Sequence, residues 1–174
     1  MNGRALASFV VLQAGWFACA LGAANGVGWV GPAVVLAALV VHVGRGPSSA
    51  RGREVVFLAA AALVGFVVDT ALLRLGVLVI PGAAVAPAWL VALWPNFAAT
   101  TGKGGLLSSV ARRPLVAAAL GAVGGPLAYD GGARLGALGL HASRLGALAV
   151  LALVWAAVVP ALFALRSRVS PALP

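Results

Sequence analysis

Residues 55–74 read VVFLAAAALVGFVVDTALLR, an apolar run that is interrupted by one acidic side chain, Asp69. An α-helix rises about 1.5 Å per residue, so this run is long enough to cross a hydrocarbon core of about 30 Å. The stretch therefore predicts a transmembrane helix. It also places a carboxyl group in a solvent where charged groups are costly.

The whole chain has the same apolar character. Of its 174 residues, 63% are hydrophobic and 9% are charged, and the mean hydropathy is +1.09. Soluble domains are about half apolar and about a quarter charged, because much of their surface must face water. This composition excludes a soluble globular enzyme, a disordered chain and a nucleic-acid-binding module. We predict a single all-α transmembrane domain that covers residues 1–174.

Apolar segments separated by turn or basic residues divide the chain into six predicted helices. A proline or glycine lies at or near most of the boundaries, where such residues are typical of turns. Residues 131–144 are glycine-rich, and the pattern leaves open whether they continue the fifth helix. The predicted helices cover about residues 5–23, 27–43, 55–74, 84–102, 114–131 and 145–165.

The basic residues predict the orientation of the bundle. The net charge is +9, and the 12 Lys and Arg residues lie mostly between apolar runs. Six crossings with both termini in the cytoplasm place nine of them inside, as the positive-inside rule requires. We therefore expect a multi-pass protein of the bacterial inner membrane, with its basic loops against anionic headgroups. The nine residues are Arg4, Arg45, Arg51, Arg53, Lys103, Arg112, Arg113, Arg166 and Arg168, and those left outside are Arg74, Arg134 and Arg144.

Few residues are suited to metal or cofactor chemistry. The single cysteine, Cys19, excludes an intrachain disulfide and any multi-cysteine zinc or iron–sulfur site. His42 and His141 fall at opposite ends of the predicted bundle, so they cannot share a metal. We expect no metal site, no cofactor and no nucleic-acid partner.

Polar residues inside the apolar segments are the candidate site. Asp69 lies in the outer half of the third helix, and Tyr129 and Asp130 lie at the outer end of the fifth, four residues before Arg134. Asp69 has no well-placed partner on its own helix, so Arg134 is the expected partner. With Gln13 and Asn96 at its floor, this set predicts an outward-facing polar pocket. The alternative is that these groups make only structural hydrogen bonds.

Glycines on the fifth helix predict close helix packing. Gly121 and Gly125 form a GxxxG pair, and Gly124, Gly132 and Gly136 fall on a second row. Small residues let helix backbones approach each other in lipid. These faces predict packing within one chain, with a homodimer or a membrane partner subunit as the alternative.

Three stretches carry a resemblance to a known family. They are QAGWFAC at residues 13–19, GFVVDTAL at residues 65–72 and GAVGGPLAYDGGARLG at residues 121–136. Together they resemble a family of small bacterial inner-membrane proteins classed only as a domain of unknown function. The resemblance covers most of the chain. It implies a multi-helix inner-membrane protein and no established activity, cofactor or partner.

Three functions are compatible with these features. The leading interpretation is non-enzymatic: a transporter-like or small-molecule-binding membrane component with a polar pocket. The second is a membrane-embedded lipid-modifying enzyme that uses Asp69 or Asp130 as an acid or base. The third is a scaffold subunit of a membrane complex. A water-filled cavity at Asp69 favours the first, a lateral opening of lipid size favours an enzyme or lipid carrier, and a closed bundle favours the scaffold.

Overall fold

The computed structural model describes residues 3–110 and 112–169. Within these residues the chain forms six α-helices and one two-stranded antiparallel sheet, in which Leu78 pairs with Leu140 and Val79 with Gly139. The prediction of an all-helical chain is confirmed. The elements are α1 (Gly3–Ala24), α2 (Val30–Gly44), α3 (Ser48–Arg74), β1 (Leu78–Val79), α4 (Ala88–Ala99), α5 (Pro114–Arg134), β2 (Gly139–Leu140) and α6 (Arg144–Val169).

Three of the described helices, α1, α3 and α6, are long and apolar enough to cross a membrane. The helices α2 and α4 are shorter apolar helices. The six helices alternate in direction. One end of the bundle, called here the basic end, holds the first residues of α1, α3 and α5 and the last residues of α2, α4 and α6. The opposite end, called the strand end, holds β1 and β2.

Two helix ends share one sequence and one geometry. Both α3 and α5 end at an arginine that is followed by Leu-Gly, and the glycines, Gly76 and Gly136, have positive φ angles of 71° and 85°. Val77 N–H donates to Leu72 O at 2.9 Å, and Ala137 N–H donates to Gly132 O at 3.0 Å. These bonds define Schellman caps, which satisfy the last carbonyls of a helix and turn the chain away. The caps end α5 at Arg134, so residues 135–143 leave the helix and supply β2.

Several helices differ in length from those predicted. Helix α3 begins at Ser48 instead of near residue 55, so Arg51, Arg53 and Glu54 lie in its first two turns. A helix of 27 residues extends about 40 Å, which carries these charges beyond a hydrocarbon core. Helix α4 covers only 12 residues instead of about 19.

The short helix α4 lies at the centre of the bundle. It packs on α1, α2 and α3, whereas α5 packs mainly on α6. Half of its residues are buried, among them Trp89, Trp94 and Asn96. The region between α1 and α5 is not closed by direct packing of these two helices, which is what creates the cavity described below.

Candidate functional site

Asp69 is fully buried and joins three helices. Its side chain is 0% exposed. The Trp94 indole Nε1 of α4 donates to Asp69 Oδ2 at 2.8 Å, and the Tyr129 hydroxyl of α5 donates to Asp69 Oδ1 at 2.5 Å. Both carboxyl oxygens are therefore hydrogen-bonded, and both donors are neutral side chains.

Both oxygens can accept when the carboxyl is ionised. The Trp94 indole can only donate, whereas the Tyr129 hydroxyl can donate or accept. Within residues 3–110 and 112–169, Asp69 takes part in no ion pair. The expectation that it pairs with Arg134 is wrong, because Arg134 bonds to Asp130 instead.

A glycine one turn before Asp69 makes room for the indole. Gly65 and Asp69 lie on the same face of α3, since residues four apart are stacked on a helix. A Cβ atom at Gly65 would overlap the Trp94 ring. The ring therefore lies across Gly65 while its Nε1 reaches Asp69, and the GxxxD spacing of α3 is the sequence feature that permits this contact.

Trp155 of α6 extends the aromatic cluster. Its ring stacks on Trp94 with centroids 5.0 Å apart, and it meets Phe97 and Tyr129 edge-on at 5.6 Å and 6.2 Å. Its Nε1 finds no hydrogen-bond partner within the described part of the chain. Ring packing therefore dominates the interactions that hold Trp155 in place.

The predicted packing glycines lie in different surroundings. A Cβ at Gly121 would overlap the Trp155 backbone carbonyl, and one at Gly125 would overlap the Trp155 indole. These two glycines therefore let α6 approach α5. Gly132 lies near Leu138, and Gly136 belongs to the cap that ends α5. A Cβ at Gly124 would meet no atom within 4 Å.

The aromatic cluster forms one wall of a cavity of about 460 Å³. Cavities of about 300–1,000 Å³ are typical of small-molecule sites. The lining comes from α1, α4, α5, α6, the segment between α4 and α5, and Leu138 after α5, and it is almost wholly apolar. Its aromatic members are Trp16, Trp89, Trp94, Phe97, Tyr129, Trp155 and Phe163.

The mouth of the cavity lies between α1 and α5. Leu120, Gly124 and Leu127 line the cavity and are also exposed, so this face of α5 is its outer rim. Trp16 reaches across from α1 and would lie 3.2 Å from a Cβ at Gly131. The opening is therefore in the side of the bundle, bounded toward the strand end by Trp16.

The six residues predicted to form a polar pocket separate into three groups. Gln13, Asn96 and Tyr129 line the cavity. Asp69 lies behind the wall made by Trp94 and Tyr129. Asp130 and Arg134 lie elsewhere, at the strand end.

Asn96 connects α4 to α1. Its Nδ2 donates to the Leu12 carbonyl at 3.0 Å, and the amide occupies the space that a Cβ at Gly15 would need. The side chain is 3% exposed. Asn96 therefore brings a polar amide to mid-depth of the bundle without leaving its donor unpaired.

Asp130 belongs to an exposed charge cluster at the strand end. It accepts a hydrogen bond from Arg134 Nε at 2.8 Å and another from Arg144. Tyr129 and Asp130 are adjacent in sequence, but consecutive helical residues point about 100° apart. One therefore faces the bundle and the other faces its surface.

A second polar network at the basic end was not predicted from the sequence. Arg166 Nη1 and Nη2 donate to the two carboxylate oxygens of Glu54, each at 2.9 Å, and Arg166 Nε donates to the Thr101 hydroxyl at 2.8 Å. His42 Nε2 lies 2.9 Å from Glu54 Oε1, and the guanidinium lies over the Phe57 ring. This network connects the ends of α2, α4 and α6 to the start of α3. No local spacing indicates it, because its partners are far apart in the chain.

Comparison with known proteins identifies a family and nothing beyond it. The family described as "Protein of unknown function (DUF2878)" matches residues 5–161. No curated protein and no solved structure matches the chain. The chain belongs to this family of unknown function, as the resemblance predicted.

Proposed function

We propose that this member of the DUF2878 family takes hydrophobic molecules from the bilayer into the cavity beside Trp94 and Trp155. It would act as a transporter-like or ligand-binding component of the bacterial inner membrane. The observation that carries the proposal is the lateral mouth at Gly124. An opening in the side of a membrane bundle admits what is dissolved in the hydrocarbon.

The depth of the mouth supports this reading. Gly124 lies ten residues from each end of α5, which spans Pro114–Arg134. At about 1.5 Å per residue, the mouth is about 15 Å from either end of the helix. With α5 crossing the bilayer, as inferred below, that point lies at the middle of a hydrocarbon core of about 30 Å, where acyl chains are present and water is scarce.

The lining supports an apolar ligand over a polar one. Gln13, Asn96 and Tyr129 supply a few polar groups among mainly aliphatic and aromatic side chains. A ligand with many hydrogen-bonding groups would lose its water there and find few partners. The cavity is therefore mainly apolar, with the Asp69 carboxyl behind its wall. It differs in this from the polar pocket that the sequence predicted.

The same geometry disfavours the two other functions. An acid or base must come within hydrogen-bond reach of the reacting atom, whereas both oxygens of Asp69 are occupied and the side chain is buried. Asp130 lies outside the cavity with two arginines. A scaffold would need no cavity of this size, although the outer glycine Gly124 would allow a partner helix to approach.

The mode of membrane insertion is part of the proposal. We infer six crossings with both termini in the cytoplasm, so that the basic end faces the anionic headgroups of the inner leaflet. Support comes from the nine basic residues at that end and from the alternating directions of the helices. A ligand would then enter between α1 and α5 from the lipid phase.

Quenching of tryptophan fluorescence tests entry into the cavity. Four of the five tryptophans line it: Trp16, Trp89, Trp94 and Trp155. We expect lipids brominated along the acyl chain to quench the reconstituted protein strongly. In Gly124→Phe the new ring occupies the mouth, and we expect quenching to fall, with the remainder arising from Trp29 and the outer edge of Trp16.

The matched control is Ala157→Phe, which places the same ring on an exposed position of α6 outside the cavity lining. It should leave quenching unchanged. Equal quenching in wild type and in Gly124→Phe would show that lipid chains do not enter here. Native mass spectrometry of the purified protein should then also find no bound lipid.

A further inference from the structure

We propose that the cavity selects hydrophobic cations, such as lipophilic amines or quaternary ammonium and phosphonium compounds. The proposal rests on the proposed function of the cavity and adds the charge of its ligand. It is carried by a buried carboxylate with neutral donors only, directly behind an aromatic wall.

The first step is the unbalanced charge. The donors to Asp69 are an indole and a phenol, and no cation of the described residues lies against it, so the carboxyl has no counter-ion when it is ionised. Electrostatic attraction is strong in a low-dielectric interior because little water screens it. A cation that enters the cavity would therefore balance Asp69.

No other charge competes for this role. Within the described part of the chain, no Lys, Arg, His, Asp or Glu side chain lines the cavity. Asp69 faces Trp94 from α4 and Tyr129 from α5, with Trp155 of α6 stacked behind Trp94. Arg166 is paired with Glu54 at the basic end, and Arg134 and Arg144 are paired with Asp130 at the strand end.

The second step is the aromatic wall. A cation is attracted to the face of an aromatic ring, most strongly to tryptophan, and more so where water is absent. Trp94 and Tyr129 both line the cavity and donate to Asp69, but the Trp94 ring is covered by Gly65 and by Trp155, so a cation would lie against the Tyr129 ring. A hydrogen bond to an anion polarises its donor, so the two rings carry part of the carboxylate's charge toward the ligand. The wall thus transmits the charge although Asp69 itself does not touch the cavity.

Two ions of nearly equal size and opposite charge test the proposal. Tetraphenylphosphonium and tetraphenylborate are titrated against the protein in a neutral detergent, with tryptophan fluorescence as the readout and empty micelles as the correction for partition. We expect wild type to bind the cation at least about tenfold more tightly than the anion, a difference of about 1.4 kcal/mol. Asp69→Asn keeps the size of the side chain and removes its charge, so it should abolish the preference.

Either of two results would overturn the inference: no preference in wild type, or a preference that survives in Asp69→Asn. If Asp69→Asn does not fold, the wild-type ratio alone decides. If neither ion binds while brominated lipids still quench the tryptophans, the charge selection fails and the proposed function stands. If brominated lipids also fail to quench, both fail.

Discussion

At the scale of the residue, Asp69 accepts hydrogen bonds from Trp94 and Tyr129. Two substitutions of Asp69 test how much these bonds stabilise the fold. Asp69→Leu leaves the Trp94 and Tyr129 donors buried without an acceptor, at a cost of about 1–3 kcal/mol each in water-soluble proteins. Hydrogen bonds in membrane proteins average only about 0.6 kcal/mol, because the unfolded chain also finds partners. We therefore expect Asp69→Leu to lose about 2 kcal/mol and Asp69→Asn about 1 kcal/mol of unfolding free energy.

The measurement is reversible unfolding in mixed micelles, followed by far-ultraviolet circular dichroism. Val67→Leu, at an exposed position of the same helix, is the control. Wild-type stability in Asp69→Leu would mean that the two hydrogen bonds contribute nothing to the fold. The prediction that Asp69 stabilises the fold would then be wrong, whatever the effect of Asp69 on ligand binding.

The sequence placed Asp69 and Tyr129 in one predicted pocket, but it named Arg134 as the partner of Asp69 and did not indicate Trp94. A lone carboxyl in an apolar helix is conspicuous, because few charges occur in such segments. Trp94 could not be recognised as a donor, since it lies on another helix and tryptophan is common in membrane proteins. Tyr129 was grouped with Asp130 and Arg134 as neighbours in sequence, although the helix turns them to different faces.

At the scale of the helix, we expect substitutions of two adjacent glycines of α5 to change the stability in opposite directions. Gly125 lies under the Trp155 indole, so Gly125→Ala forces the ring to move and should cost about 1–3 kcal/mol, as overpacking of a core does. Gly124 faces open space, so Gly124→Ala should gain up to about 1 kcal/mol from the higher helix propensity of alanine. Each variant is the control for the other.

Unfolding in mixed micelles measures the change in unfolding free energy of each variant and so checks both predicted signs. A loss of stability in Gly124→Ala as large as in Gly125→Ala would contradict the assignment of Gly124 to the open rim of the cavity. It would indicate instead that another helix, from this chain or from a second copy, packs on that face.

Helix ends were harder to predict than helices. Periodicity and apolar length indicated six segments. Arg51, Arg53 and Glu54 suggested a loop, although these residues belong to the first turns of α3. Charged side chains are compatible with a helix that extends past the hydrocarbon, and length alone cannot show this. The end of α5 was left open, although the repeated Arg-Leu-Gly at residues 74–76 and 134–136 carries the signal that the two caps explain.

At the scale of the whole molecule, hydropathy and charge could predict a membrane bundle but not its cavity. The cavity exists because α1 packs on α2 and α4 while α5 packs on α6. Such pairings depend on how the side-chain ridges and small residues of distant helices pack against each other. They cannot be deduced from a single sequence. The Glu54–Arg166 pair was missed for the same reason, since 112 residues separate its partners.

The inferred crossings can be tested with introduced cysteines. Cys19 is the single cysteine and is 0% exposed, so the wild type should react little with a membrane-impermeant maleimide. Ser49→Cys, Lys103→Cys and Ala142→Cys each place a thiol at an exposed position. With six crossings and cytoplasmic termini, Ala142→Cys should react in intact spheroplasts, and the other two only after the membrane is permeabilised.

Lys103→Cys is the decisive variant, because it lies between α4 and α5, and neither of these is among the described helices that are long and apolar enough to cross a membrane. If α4 and α5 do not cross, Lys103→Cys would react together with Ala142→Cys, and the mouth at Gly124 would no longer lie in the middle of the bilayer. The lateral entry of lipid would then lose its physical basis. Reaction of Lys103→Cys together with Ser49→Cys places the mouth in the hydrocarbon, where an apolar ligand can reach it.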